Sequence, residues 1–122
     1  MKRRYRLTRT SDFKRVRLFG KSFAHPLIVL ILARNSLSNT RVGITTSRAI
    51  TKAVYRNRAK RQLRAWIESY LGDLEPGWDV LLITRPLICQ ASFDDIGKAV
   101  QDVFTRARLL RSGDQRGRQA ES

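Results

Sequence analysis

The stretch that decides the fold is residues 41–64, which reads RVGITTSRAITKAVYRNRAKRQLR. Residues 41–46 alternate between two faces of an extended chain, which predicts a half-buried strand antiparallel to the strand before it. A helix is predicted over 52–71 and ends before Gly72, because glycine commonly stops a helix at this position. The remaining elements are arranged around this strand and this helix.

The predicted helix separates apolar from cationic side chains almost completely. At about 100° per residue, an arc of about 120° is apolar and holds Tyr55, Ala59, Leu63, Trp66, Ile67 and Tyr70. The next arc of about 200° holds Arg56, Asn57, Arg58, Lys60, Arg61 and Arg64. A helix face that only has to be soluble normally mixes both signs, whereas no acidic residue is interleaved here before Glu68. Planar guanidinium groups suit paired contacts with phosphate oxygens, so we interpret this face as a nucleic-acid contact.

The charge of the whole chain is equally uneven. Its 122 residues include 25 Lys or Arg and 10 Asp or Glu, for a formal net charge of +15. Residues 1–64 carry 18 basic residues and one acid, a net of +17, whereas residues 65–122 carry 7 basic residues and nine acids, a net of −2. Such a positive field repels itself and is normally offset by a polyanion, which favours nucleic acid over a membrane surface.

Length and composition suit one small domain. Hydrophobic residues make up 42% of the chain and cluster in periodic runs, so the sequence is expected to fold despite its charge. We predict a single α+β domain over 1–110 that includes a flexible or extended basic arm over 1–9. A disordered tail is predicted over 111–122, where Ala120 is the only apolar residue.

Two further helices and three further strands are predicted around the central pair. They are a helix from Thr10 or Ser11 to Gly20, a short strand near Phe23, strands over 27–33 and 78–84, and a helix that follows Ser92. The hydroxyl groups at the starts of the two helices can accept hydrogen bonds from free amides of the first turn. Phe13, Val16 and Phe19 are spaced by three, which predicts the packing face of the first helix.

Several classes of protein are excluded by what the chain lacks. Cys89 is the only cysteine, so an internal disulfide is impossible, and His25 has no Cys or His neighbour for a zinc site. The longest apolar run, 27–33, is far shorter than the roughly 18 residues of a membrane span. No signal peptide follows the basic start, so a cytoplasmic protein that does not contact membranes is expected.

The acidic residues before and in the last strand do not suggest a catalytic site. Asp73, Glu75 and Asp79 flank a turn and are interpreted as solvated loop acids rather than as magnesium ligands. No nucleophile, general base and orienting group occur as a set. The protein alone is therefore expected to have no hydrolytic chemistry.

The central stretch resembles a known family. Residues 41–48, RVGITTSR, followed by 53–64, AVYRNRAKRQLR, are similar to the bacterial ribonuclease P protein subunit, whose signature RNRxKRxxR is matched by 56–64. The resemblance covers about 6–110 and includes the adjacent pair Asp12 and Phe13 in the first helix. This family assignment adds expectations that composition and periodicity do not supply.

The resemblance implies a small two-layer α/β sandwich with a four-stranded sheet and a left-handed βαβ crossover, which is an exception to the right-handed rule. It also implies an endoribonuclease holoenzyme in which the RNA subunit performs the chemistry with magnesium that is bound mainly by that RNA. The protein would bind ribonuclease P RNA and the 5′ leader of precursor transfer RNA, promoting 5′-end maturation.

Site residues follow from the same resemblance. The residues that match the RNA-binding motif are Arg56, Asn57, Arg58, Lys60, Arg61 and Arg64, and the leader-binding set is Phe13, Arg17, Arg48, Lys52 and Arg85. No catalytic or metal-binding residue is implied. Arg17 and Ile31 stand where many members carry aromatic rings, which predicts a more electrostatic contact with the leader.

Other interpretations of the same residues stay open at this point. A ribosomal or other structural RNA-binding protein would share the small size and the charge. A DNA-binding regulator could place the basic helix in a major groove, but the basic arc is wide and the partner helix of a helix-turn-helix is missing. Phe13 could equally be a core residue that packs the first helix.

Overall fold

The computed structural model of the protein describes residues 1–111, in which the main elements are three α-helices and four strands. In chain order they are α1 (Thr10–Phe19), β1 (Lys21–Ala24), β2 (Ile28–Arg34), β3 (Arg41–Thr46), α2 (Ala53–Tyr70), β4 (Trp78–Thr84) and α3 (Phe93–Arg106). The predicted α+β class and order of elements are confirmed. Within residues 1–111 no helix is both long and apolar enough to cross a bilayer.

The four strands form one mixed sheet in the order β1-β2-β4-β3. β2 pairs antiparallel with β4, and β3 pairs parallel with β4. We predicted β3 to be antiparallel to β2. The two strands do run in opposite directions, but β4 lies between them and they do not pair. A connection that includes a long helix can return the chain beside β3 in parallel, which sequence alternation alone cannot show. The handedness of this crossover stays a prediction.

One face of the sheet packs against α2 and α3. The largest fully buried side chains on this side include Ile28, Leu30, Leu63, Ile67, Leu82, Ile96 and Phe104. Burial of each such side chain contributes about 1.5–3 kcal/mol to the free energy of unfolding. This layer therefore supplies most of the hydrophobic stabilisation of the domain. The predicted cap of α3 is confirmed, because the Ser92 hydroxyl accepts a hydrogen bond from the Asp95 amide at 3.0 Å.

The opposite face is partly covered by α1, whose Val16 packs against Ile31 and Leu81 in a second, smaller apolar cluster. Two predictions for this helix were wrong. Arg9 rather than a hydroxyl residue precedes the first turn, and no side chain caps it. Phe19 is 80% exposed instead of packed, because the helix ends as the chain turns at Gly20 into β1.

The N-terminal arm, which was predicted to be flexible or extended, is held against the domain. Arg6 forms an isolated parallel bridge with Val42 in β3, and the Leu7 amide donates a hydrogen bond to the Val42 carbonyl at 3.0 Å. Leu7 is only 2% exposed and belongs to the cluster beneath α1. The buried Leu7 side chain therefore anchors a basic segment along the edge of the sheet, together with the ion pair between the Met1 amino group and Glu68 and the hydrogen bond from Asn39 Nδ2 to the Arg4 carbonyl.

The start of the predicted tail also differs from expectation. The Arg111 amide donates to the Asp73 carbonyl at 2.7 Å, and its Nε donates to the Leu74 carbonyl at 3.2 Å. The prediction of disorder was therefore wrong at this residue. The rest of that prediction, for 112–122, lies outside the described residues.

Candidate nucleic-acid interface

The packed side of α2 is shorter than the sequence suggested. Ala59, Leu63, Ile67 and Tyr70 are buried, whereas Tyr55 is 45% exposed. The first buried residue of the helix is Ala59, so the first turn lies beyond the core and Tyr55 faces solvent there. The prediction that Tyr55 belongs to the packing arc was wrong for this reason.

The other side of α2 presents the predicted cations to solvent. Asn57, Arg58, Arg61 and Arg64 are exposed, and Lys60 is half-buried. Within residues 1–111, none of these cations forms an ion pair. Like charges four residues apart on a helix destabilise it by about 0.2–0.5 kcal/mol per pair. This face therefore favours a polyanionic partner that would relieve the repulsion.

Arg56 differs from its neighbours because it is bound to the protein itself. Its Nη1 donates hydrogen bonds to the Ile50 carbonyl at 3.1 Å and to the Thr51 carbonyl at 2.6 Å. The side chain thereby fixes the loop between β3 and α2, and its remaining N–H groups have no acceptor among residues 1–111. Sequence reasoning placed Arg56 on the binding face and missed this second contact.

A cavity of about 260 Å³ at the edge of β3 connects α1 with the basic face of α2. Its lining includes Phe13 from α1, Gly43 from β3, and Lys60 and Arg64 from α2. Gly43 permits this arrangement, because a Cβ atom built there would lie 2.6 Å from Cε1 of Phe13. The structure thus brings the predicted leader-binding aromatic next to two of the predicted RNA-binding cations.

The α1-bearing face of the sheet has one row of side chains that α1 leaves open. Ala24, Val29, Ile83 and Thr45 are neighbours in register across all four strands. Ala24 is exposed and the other three are half-buried, whereas Ile31 and Leu81 in the next row are buried. We call these four residues the open row. It forms a shallow, mostly apolar strip beside α1.

Three predicted leader-binding cations lie at the end of the sheet next to the open row. Arg48 and Lys52 follow β3, and Arg85 follows β4. Because β3 and β4 are parallel and their last residues are paired, Arg48 and Arg85 lie at the same end of the sheet, and Lys52 directly precedes α2. All three are exposed, and Nη1 of Arg85 donates to the His25 carbonyl at 3.3 Å. The fourth cation, Arg17, is exposed on α1 one turn after Phe13, on the same face of the helix.

The structure also contains an ion cluster that sequence reasoning missed. Asp79 is 0% exposed, and its carboxylate accepts hydrogen bonds from Arg41 Nε at 2.9 Å and Arg41 Nη2 at 2.7 Å. Asn35 Nδ2 donates to it at 2.8 Å, and Arg15 Nη2 also pairs with it. The prediction of a solvated loop acid was wrong, because Asp79 is the second residue of β4 and is paired in register with Arg41. The position of Asp79 within an otherwise aliphatic strand was the sequence signal that could have predicted its burial.

The environment of Asp79 decides its protonation. Burial by itself would raise the pKa of this carboxyl, but hydrogen bonds from Arg41 and Asn35 and the charges of Arg41 and Arg15 lower the pKa below its ordinary value. The hydrogen bond to Asp79 in turn raises the pKa of Arg41. The cluster is therefore ionised at neutral pH. Within residues 1–111, no three His, Cys, Asp or Glu side chains are grouped so as to hold a metal ion.

Known proteins share both the sequence and the fold of this chain. Residues 1–108 match the family model described as Ribonuclease P. The Ribonuclease P protein component of Herpetosiphon aurantiacus is 36% identical over 115 residues, which cover 94% of each chain. The chain belongs to the ribonuclease P protein family. Another family member, from Clostridioides difficile, is 34% identical over 104 residues, which cover 84% of this chain and 91% of that protein.

Solved structures of ribonuclease P proteins confirm the architecture. The Staphylococcus aureus RNase P protein superposes with a TM-score of 0.81 at 25% identity, covering 88% of this chain and 98% of that one. The Thermotoga maritima RNase P protein gives a TM-score of 0.74 at 26% identity, covering 83% and 96%. Ribonuclease P is an endoribonuclease of transfer RNA 5′ maturation, and ribonuclease P RNA is the partner of this protein. This family membership excludes the two alternatives considered above, a ribosomal protein and a DNA-binding regulator.

Proposed function

We propose that the exposed cations of α2 bind ribonuclease P RNA and that the open row, with the cations around it, holds the 5′ leader of precursor transfer RNA. The single observation that carries this proposal is the cavity at the β3 edge, where Phe13 lies with Lys60 and Arg64. An RNA on the basic face and a strand on the sheet would meet at this cavity. One small domain would then contact both RNAs at once.

The RNA-binding role rests on cationic side chains that form no ion pair within residues 1–111. Asn57, Arg58, Arg61 and Arg64 project from one helix into solvent, and Lys60 lies beside them at the cavity. Each cation that neutralises a phosphate releases condensed counterions, so binding through this face should weaken steeply with salt. Arg56 would contribute both a contact and a fixed loop, because its backbone hydrogen bonds hold the entry to α2.

The leader-binding role rests on shape as well as on charge. Four strands side by side span about 14 Å, since neighbouring strands are about 4.8 Å apart. The open row therefore offers a strip that suits a few nucleotides of an extended single strand. Phe13 would supply one stacking surface, and Arg17, Arg48, Lys52 and Arg85 would contact phosphates. Ile31 is 8% exposed and lies under α1, so an apolar residue there has little surface to offer a base.

The chemistry of the holoenzyme is proposed to belong to the RNA subunit and its magnesium ions. The buried carboxylate of the protein agrees with a catalytic RNA subunit. Asp79 is paired with the guanidinium groups of Arg15 and Arg41, so it is not free to bind a metal ion. Bound magnesium activates water and stabilises the charge that develops on phosphate during hydrolysis. The protein would neutralise phosphates that magnesium otherwise has to screen. The same assignment predicts a cytoplasmic location.

Reconstitution tests this proposal. Purified protein without RNA should leave precursor transfer RNA intact, whereas protein added to ribonuclease P RNA should restore accurate 5′ cleavage at magnesium concentrations too low for the RNA alone. Cleavage should be followed at low and at high magnesium. Cleavage by RNA-free protein, or the same magnesium requirement with and without the protein, would contradict the proposal.

A further inference from the structure

A second cationic site lies at the opposite end of the sheet from Arg48 and Arg85. It is a cavity of about 500 Å³ beside the N-terminal half of α1. We call it the arginine pocket, after the four arginines in its lining, which comprises Arg9, Asp12, Arg15, Arg34, Asn35, Ser36, Leu37 and Arg41. Nothing in the proposed contacts of α2 or of the open row uses this pocket.

Two of the four guanidinium groups are held in place by the buried Asp79 carboxylate. Arg41 binds the buried Asp79 through Nε and Nη2, and its Nη1 has no acceptor within residues 1–111. Arg15 binds Asp79 through Nη2 and donates from Nη1 to the Arg34 carbonyl at 3.0 Å, and its Nε has no acceptor in the described part of the chain. Side chains fixed in this way lose little conformational freedom when they bind a ligand.

The other two arginines form the rim of the arginine pocket. Arg34 is exposed, and its guanidinium carbon lies 4.7 Å from the ring centroid of Trp78. Arg9 is exposed and precedes α1. Neither forms an ion pair with a carboxylate of residues 1–111. The rim therefore presents two cations that no carboxylate of residues 1–111 neutralises.

The charge balance of the arginine pocket favours an anion. Four guanidinium groups face two carboxylates, those of Asp79 and Asp12, which leaves a net charge of +2. Asp12 lies 3.7 Å from Arg15 Nη2 and 3.6 Å from Arg41 Nη2, so it offsets part of their charge without closing the pocket. Asn35 and Ser36 add neutral polar groups to the same wall.

We propose that the arginine pocket binds the phosphodiester backbone of an RNA strand and is a second RNA contact of this protein. Guanidinium forks match the geometry of phosphate oxygens, and the partner of the protein is an RNA. The strand can belong to ribonuclease P RNA or to the body of precursor transfer RNA. Both sources present the same phosphate chemistry, and the contact does not depend on the leader site.

The test replaces the two rim arginines, R9Q/R34Q, because they lie outside the Asp79 cluster. The matched control is K98Q/R108Q, which removes the same charge from exposed positions near α3. Binding is measured against salt in two arms, one with ribonuclease P RNA alone and one with precursor transfer RNA added to the assembled holoenzyme. Unfolding midpoints of both variants should stay close to that of the parent protein.

Loss of two phosphate contacts should flatten the slope of log affinity against log salt by about 1.4–1.8 units, at about 0.7–0.9 per contact. A change in the first arm assigns the strand to ribonuclease P RNA, and a change confined to the second arm assigns it to precursor transfer RNA. R9K/R34K keeps both charges and should restore the slope. Slopes equal to that of K98Q/R108Q in both arms would overturn the inference while leaving the proposed function intact.

Discussion

The substitution Phe13→Ala tests the side chain on which the leader site depends most. Truncation of a fully buried phenylalanine costs about 3–5 kcal/mol of unfolding free energy, so the half-buried Phe13 should cost about 2 kcal/mol. Stacking of one base on one ring contributes about 1–3 kcal/mol. We expect the lower end, about 1 kcal/mol, because the ring also packs against Gly43 and Leu7. This corresponds to roughly fivefold weaker binding of precursor.

The assay compares two ligands with one variant. The affinity of the reconstituted holoenzyme is measured for precursor and for mature transfer RNA, well below the unfolding midpoint of the variant. Loss of a contact with the leader weakens only precursor binding, because mature transfer RNA has no leader. Val16→Ala is the matched control, since Val16 is 0% exposed on the same helix and its loss should lower stability alone. Equal weakening of both ligands by Phe13→Ala would refute the reasoning and leave Phe13 as a core residue.

Two further predictions concern the basic face and the buried acid. Replacing Arg58, Arg61 and Arg64 together by Gln should preserve the fold, because all three are exposed. It should also flatten the salt dependence of binding to ribonuclease P RNA by about 2–3 units; an unchanged slope would mean that they do not contact the RNA. Asp79 has a lowered pKa, so its stabilising effect is present above its unfolded pKa of about 3.9 and is lost as pH falls through the lower folded value. Urea unfolding from pH 6 to pH 2 should therefore show a weaker pH dependence for Asp79→Asn than for the parent protein, and equal dependence would contradict the role of the cluster.

Much of the fold could be predicted because its signals are local. Alternation over 41–46 and the long two-faced helix are properties of adjacent residues, and both elements appear nearly where expected. The position of β4 between β2 and β3 could not be predicted in the same way, since strand pairing joins residues that are distant in sequence. The arm is fixed by contacts that are distant in sequence, among them the burial of Leu7 beneath α1 and the ion pair of the Met1 amino group with Glu68.

The candidate site also combines features that local sequence predicts with features that depend on contacts between distant residues. The basic face of α2 could be recognised because its charges repeat at helical spacing without an acid. The exposure of Tyr55 and the backbone hydrogen bonds of Arg56 depend on where the helix meets the sheet, which periodicity does not encode. The burial of Asp79 depends on its register with Arg41, so the arginine pocket could be found only in three dimensions.

The contact of the N-terminal arm with β3 has a consequence for how copies of this protein behave in concentrated solution. An uncovered strand at the border of a sheet is a template for a strand from another molecule, and such pairing leads to aggregation. Arg6 and Leu7 occupy part of the border at β3, where their backbone pairs with Val42. The other border, β1, is only four residues long and begins with the exposed Lys21, two features that discourage pairing. Both borders of the sheet are thereby protected while the protein awaits its RNA.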